Sequence, residues 1–178
     1  MKFLDSITST STSTSASPTN ATTMSSSPLL TPGRLLLTLV ALVTSTGCFI
    51  ADWNETHIYN PTWTAHAKFH NGQTMSMGAL LGVAALWYLY APPSPRTASK
   101  EESKNSEMQN LKTVVLLDAL YWVTQASAYA YPGSEAFDPI PGREEVVQDW
   151  LLQAKLEAVL LGMVGVGWWL ESRRILAA

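Results

Sequence analysis

From Leu35 onward, apolar residues run in four long blocks separated by shorter polar stretches: Leu35 to Ala51, Thr74 to Ala91, Thr113 to Ala130 and Trp150 to Leu170. The first three hold a single ionised side chain among them, Asp118, and each approaches the roughly 17–25 residues that a helix needs to cross hydrocarbon. The fourth carries Lys155 and Glu157 near its start, so its clean apolar stretch is Ala158 to Leu170. It is read as a span because a lone amphipathic helix beside three spans would leave the bundle unpaired. Ahead of these blocks, sixteen of the twenty-two residues from Ser6 to Ser27 are Ser or Thr. Such a composition cannot bury enough apolar surface to offset its ordering entropy. The pattern predicts an all-α integral membrane four-helix bundle over residues 34–178, with spans near 35–51, 74–91, 113–130 and 150–170. A disordered Ser/Thr-rich N-terminal tail, residues 1–33, precedes it.

Composition agrees with this class. Of 178 residues, 47% are hydrophobic and 14% charged, against a usual charged share of about 25%. Lys and Arg are distributed unevenly. Lys2, Arg34, Arg96, Lys100, Lys104, Lys112, Arg173 and Arg174 fall in the tail, the second loop and the C-terminus, whereas the other two loops hold only Lys68 and Arg143. Positive charge favours the cytoplasmic side, so both termini are expected there, with the endoplasmic reticulum as the host membrane. The acidic third loop, with Glu135, Asp138, Glu144, Glu145 and Asp149, then lies in the lumen with the first loop. Asn54 heads an Asn-Glu-Thr sequon on that side, a glycosylation candidate placed close to the end of the first span. Cys48 is the sole cysteine, which excludes an intramolecular disulfide.

All three histidines, His57, His66 and His70, lie between the first two blocks. Asn60-Pro61 is a good helix start, with Asn as cap and Pro at the first helical position. A helix beginning there would carry Trp63, His66 and His70 on one face, followed by Gln73 or Thr74 and Met77. Imidazole titrates near neutrality and also ligates metals, so this face is a candidate for catalysis; the plainer alternative is an interfacial belt of amphipathic side chains. Two histidines at i and i+4 can share a metal, with His57 or Asp52 as a third ligand. No HExxH pattern or cysteine partner accompanies them, and no metal or other cofactor is expected.

The third block adds a polar and aromatic stripe at helical spacing, Asp118, Tyr121, Trp122, Gln125 and Tyr129, expected to face the interior and bind substrate. An ionisable group inside a membrane costs about 2.5–3.5 kcal/mol even on insertion scales. Asp118 therefore needs a partner or a proton, as a general acid would, or else it joins helices by hydrogen bonds. On the fourth helix Glu157 is the carboxylate to set beside His66 and His70 as a catalytic group, at the depth of Gln125 rather than Asp118, while Lys155 snorkels to the interface. Gly78, Gly82, Gly162, Gly165 and Gly167 allow close helix approach.

The run Asp52-Trp53-Asn54, Thr56-His57, Asn60-Pro61, Trp63, His66-Ala67-Lys68-Phe69-His70 and Gln73-Thr74 resembles the signature of a small four-span family of fungi and bacteria. The chain also resembles the small cyclases and pericyclases of fungal secondary metabolism, of the sordarin Diels–Alderase kind. In layout it is similar to the four-span sterol isomerase and sigma-2 receptor group. These resemblances imply a membrane enzyme of cyclase or isomerase type, acting by proton transfer or cycloaddition on a lipophilic terpenoid or polyketide; the residues themselves suggest that Trp63, Tyr121, Trp122 and Tyr129 fold the substrate while His66, His70 or Glu157 polarises it. Membrane lipids and other enzymes of such a pathway are the expected partners, and nucleic acid is not. An acyltransferase on a secondary metabolite and a non-catalytic lipid-binding protein are the alternatives. No nucleotide loop, Ser-His-Asp order or redox-cofactor fingerprint is visible.

Overall fold

A computed structural model describes residues 29–92, 98–143 and 145–178. The tail expectation for residues 1–28, and the charges Lys2, Arg96 and Glu144, lie outside the described residues. Within them the regular elements are helices: α1 (Pro32–Asp52), α2 (Ala65–Tyr90), α3 (Lys100–Ser127) and α4 (Leu152–Ala177), with a 3₁₀ turn at Ala128–Ala130.

Each start has a local cause. Thr31 caps α1, its Oγ1 accepting from the Arg34 amide at 3.2 Å with Pro32 in the first turn, so the tail gives way to helix before residue 33. Thr64 caps α2 by accepting from the Ala67 amide at 3.1 Å. The cap is thus Thr64 and not Asn60, because the Asn60 side chain is taken up by an Asx turn, accepting from the Thr62 amide at 2.9 Å and hydroxyl at 2.7 Å. Ser99 and Glu102 form a reciprocal capping box that starts α3 thirteen residues ahead of the expected span. α4 lacks a side-chain cap of its own. Tyr129 reaches across instead, its hydroxyl donating to the Trp150 carbonyl at 3.1 Å and accepting from the Ala154 amide at 3.3 Å.

The helices run up, down, up and down. α1 touches α2 and α4, α3 touches the same two, and α1 also meets α3 across the bundle, whereas α2 and α4 do not touch. Glycine sets the closest approach. A Cβ on Gly82 would sit 2.3 Å from the Ala41 carbonyl oxygen, and one on Gly78 would sit 2.9 Å from that of Thr44. The Gly-x-x-x-Gly of α2 therefore lets two backbones meet. Gly167 plays this part between α4 and Leu37, but nothing lies within 4 Å of a Cβ on Gly162 or Gly165. Those two contribute no close approach.

Leu37, Val40, Val114, Trp122, Leu160 and Val164 form the core. The outside is also apolar: Leu39, Leu80, Val83, Leu116, Val123, Val159 and Val166 are all exposed in mid-helix. By length and composition one helix of the described residues, α1, is apolar enough to cross a membrane, with mean hydropathy 1.9 and only 28% of its apolar window buried. Polar residues such as Gln73, Thr74 and Ser76 dilute α2, and the charged first half dilutes α3. The four-helix, all-α part of the expected fold is therefore present.

Candidate functional site

The buried face of α2 is Asn71, Met75, Gly78, Gly82, Ala85 and Leu89. His66 and His70 stand on another face, exposed, with their Nε2 atoms 3.1 Å apart. The expectation that they look into the bundle beside Gln125 and Glu157 is corrected by helix geometry. Asn71 lies two turns before Gly78 and so beneath it, whereas His70 and His66 sit roughly 80° and 120° round the helix from that glycine.

His57, which the sequence offered only as a third ligand to a metal shared by His66 and His70, is the histidine held by the fold. Its Nδ1 is 2.7 Å from Thr56 Oγ1, and that hydroxyl donates to Asn54 Oδ1 at 2.6 Å. With its one proton so committed, Thr56 accepts from His57, which places a proton on Nδ1. Nε2 then faces Asp52 Oδ1 at 3.8 Å. Asp52 Oδ2 accepts from Asn71 Nδ2 at 2.8 Å, tying the loop to the interior face of α2.

Trp63 packs edge-on against His57, with ring centroids 4.9 Å apart, and donates to Asp138 Oδ2 at 2.5 Å. It joins the first and third loops and does not share a face with His66. A cleft between these loops is lined by Asn60, Thr62, Asp138, Pro139, Pro141 and Gly142. The Asn54 amide nitrogen, the atom a glycan would occupy, donates to the Ala51 carbonyl at 2.6 Å. Lys155 extends outward as expected and binds Asp149 at 2.6 Å; this contact and the Leu151 amide hold the Asp149 carboxyl below its ordinary range.

The α3 stripe is partly interior. Asp118 and Trp122 are buried, Tyr121 and Gln125 half-buried, and Tyr129 exposed in its capping role. The Trp122 indole donates to Thr44 Oγ1 at 2.9 Å and packs on Tyr121 at 5.1 Å, which makes it a strut between α1 and α3. Gln125 donates to Gln153 at 3.1 Å, and Gln153 in turn to the Ala136 carbonyl at 2.7 Å.

Below this amide pair lie two acids. Asp118 is 0% exposed and, among the described residues, neither oxygen has a hydrogen-bond partner; Glu157 is 3% exposed and its Oε1 has none there either. The Gln125–Gln153 contact fixes their depth. Asp118 lies seven residues below Gln125 and Glu157 four below Gln153, so the two differ by about 4.5 Å along the bundle. Glu157 thus lies nearer in depth to Asp118 than to Gln125, contrary to expectation.

At the other end, sequence missed an ion network. Arg34 binds Glu107 at 3.0 Å and faces Glu171 at 3.9 Å; Arg174 binds Glu171 at 2.7 Å and also Glu107, while Thr31 donates to Glu171. Two cations and two anions from α1, α3 and α4 balance there. Residues counted as orienting charges are therefore structural ties as well.

A family model matches residues 36–178. The chain belongs to DUF6640, a family of unknown function. The DUF6640 match takes in nearly all of α1 and the whole of α2, α3 and α4, so the acids, the His57 network and most of the ion network fall inside it. No curated protein and no solved structure matches the chain.

Proposed function

We propose that this protein crosses the membrane four times and that Asp118 and Glu157 carry out proton transfer, isomerase or cyclase in type, on a lipophilic small molecule drawn from the bilayer. The observation that carries this reading is the Asp118 carboxyl, fully buried with both oxygens unpartnered, with Glu157 close to it in depth. Leaving a buried polar group unpaired costs several kcal/mol in hydrocarbon. A fold that keeps two such groups has a use for them, and a carboxyl without a fixed partner is free to give or take a proton at a ligand.

Membrane insertion is supported by where the aromatics stand. Of seven tryptophans, four, Trp53, Trp63, Trp87 and Trp150, stand within about one turn of a helix end, whereas Trp122, Trp168 and Trp169 lie further inside their helices. On α2, exposed Phe69 and Trp87 are separated by about 27 Å of helix rise, close to the ~30 Å of a hydrocarbon core. These are interfacial belts around an apolar outer surface. The charge asymmetry favours cytoplasmic termini and the endoplasmic reticulum, and the resemblance to fungal secondary-metabolite cyclases favours a terpenoid or polyketide. His66 and His70, on the outer face, take no part in the proton step.

The test compares lipophilic metabolites of membranes carrying the native chain, Asp118→Asn or Glu157→Gln. Both amides preserve shape and polarity, and insertion is checked by protein level. Loss of a general acid or base lowers product formation by about 10²-fold or more. Full product formation by both inserted variants contradicts the reading.

A further inference from the structure

The exposed histidine pair is left over by this function, and its geometry points to a second site. We propose that His66 and His70 form a two-imidazole clamp for a divalent transition-metal ion at the histidine-bearing end of α2. Their Nε2 atoms converge to 3.1 Å, the ring centroids lie 4.5 Å apart and the planes cross at 82°. Two imidazole nitrogens on one metal, at bond lengths of about 2.05 Å, stand roughly 2.9 Å apart for a right-angled pair and 3.4 Å for a tetrahedral one. The observed separation lies between these, so an ion can replace the shared proton without rebuilding either side chain.

The backbone under the pair is fixed by the Thr64 cap. Phe69 stacks parallel to the His66 ring with centroids 6.4 Å apart, and among the described residues the polar contact of each histidine side chain is with the other. His57 is engaged with Thr56 and Trp63 and is not a third ligand. Among the described residues no group of three or more His, Cys, Asp or Glu could hold a metal. Water or an external ligand therefore completes the coordination, giving an open, exchangeable site. Imidazole suits Cu(II), Ni(II) and Zn(II), with Cu(II) bound most tightly, and binding weakens as pH falls because the ion competes with protons.

The full chain, purified in detergent without a polyhistidine tag, is titrated with Cu(II), Ni(II) and Zn(II) by calorimetry, and the Cu(II) form is followed by electron paramagnetic resonance. The clamp predicts one ion per chain with nitrogen hyperfine structure from imidazole. His66→Ala and His70→Ala should each weaken binding by about tenfold or more, and His57→Ala should leave it unchanged. Both replaced residues are exposed, so the variants fold. Absence of stoichiometric binding, or equal binding by the double variant, overturns the proposal and leaves the pair as a histidine–histidine hydrogen bond.

Discussion

At Gly82 the spacing of α1 and α2 depends on one missing carbon atom. A methyl group there would meet the Ala41 carbonyl at 2.3 Å and Ser45 at 2.7 Å, both on α1. Gly82→Ala should therefore lower stability by about 1–3 kcal/mol, read as a drop in thermal melting in detergent, whereas Gly165→Ala, with open space around it, should not. Trp63→Phe keeps the ring against His57 but loses the Asp138 hydrogen bond, at a cost of about 1 kcal/mol. The same residues explain how far the site could be read. Gly78 and Gly82 already marked the buried face of α2, and counting back in turns from them leads to Met75 and Asn71, not to His70. Glycine packing and histidine alignment mark different faces of α2, and one helix cannot bury both in this bundle. Asp118 was legible because a charge stands out in an apolar run; the His57–Asp52–Asn71 network was not, because it joins a loop to two helices.

At the scale of elements, four apolar blocks gave the number and order of the helices, and hydrophobicity alone could do no more. α3 begins at Lys100 because Ser99 and Glu102 cap it, a short polar signal that an apolar window overlooks. Its charged first half then supplies Glu107 to the network with Arg34, Arg174 and Glu171. Removing one anion of a buried ion group leaves its two cations unbalanced, here with Glu107 as the one remaining anion. Glu171→Ala should cost about 3–5 kcal/mol, measured as a lower melting temperature, because it leaves Arg174 and Thr31 without their shared acceptor.

Among the described residues the bundle carries apolar side chains on its outer mid-helix faces and holds unpaired acids within, an arrangement a bilayer favours. The four crossings proposed above would put both termini on one side. A cysteine introduced at Thr64, in a chain whose sole native cysteine is buried, should react with an impermeant thiol reagent from the lumen only, while a C-terminal tag is digested from the cytoplasm. Labelling of both sites from the same side contradicts four spans. Interior carboxyls that move a proton on a lipophilic substrate would exchange it with solvent, and deuterium reads that step. Membranes carrying the native chain are incubated with lipid extract in deuterated buffer and the products analysed by mass spectrometry. A product with deuterium on carbon that disappears in Asp118→Asn/Glu157→Gln is expected. A product formed without deuterium, or one that persists in the inserted double variant, would contradict it.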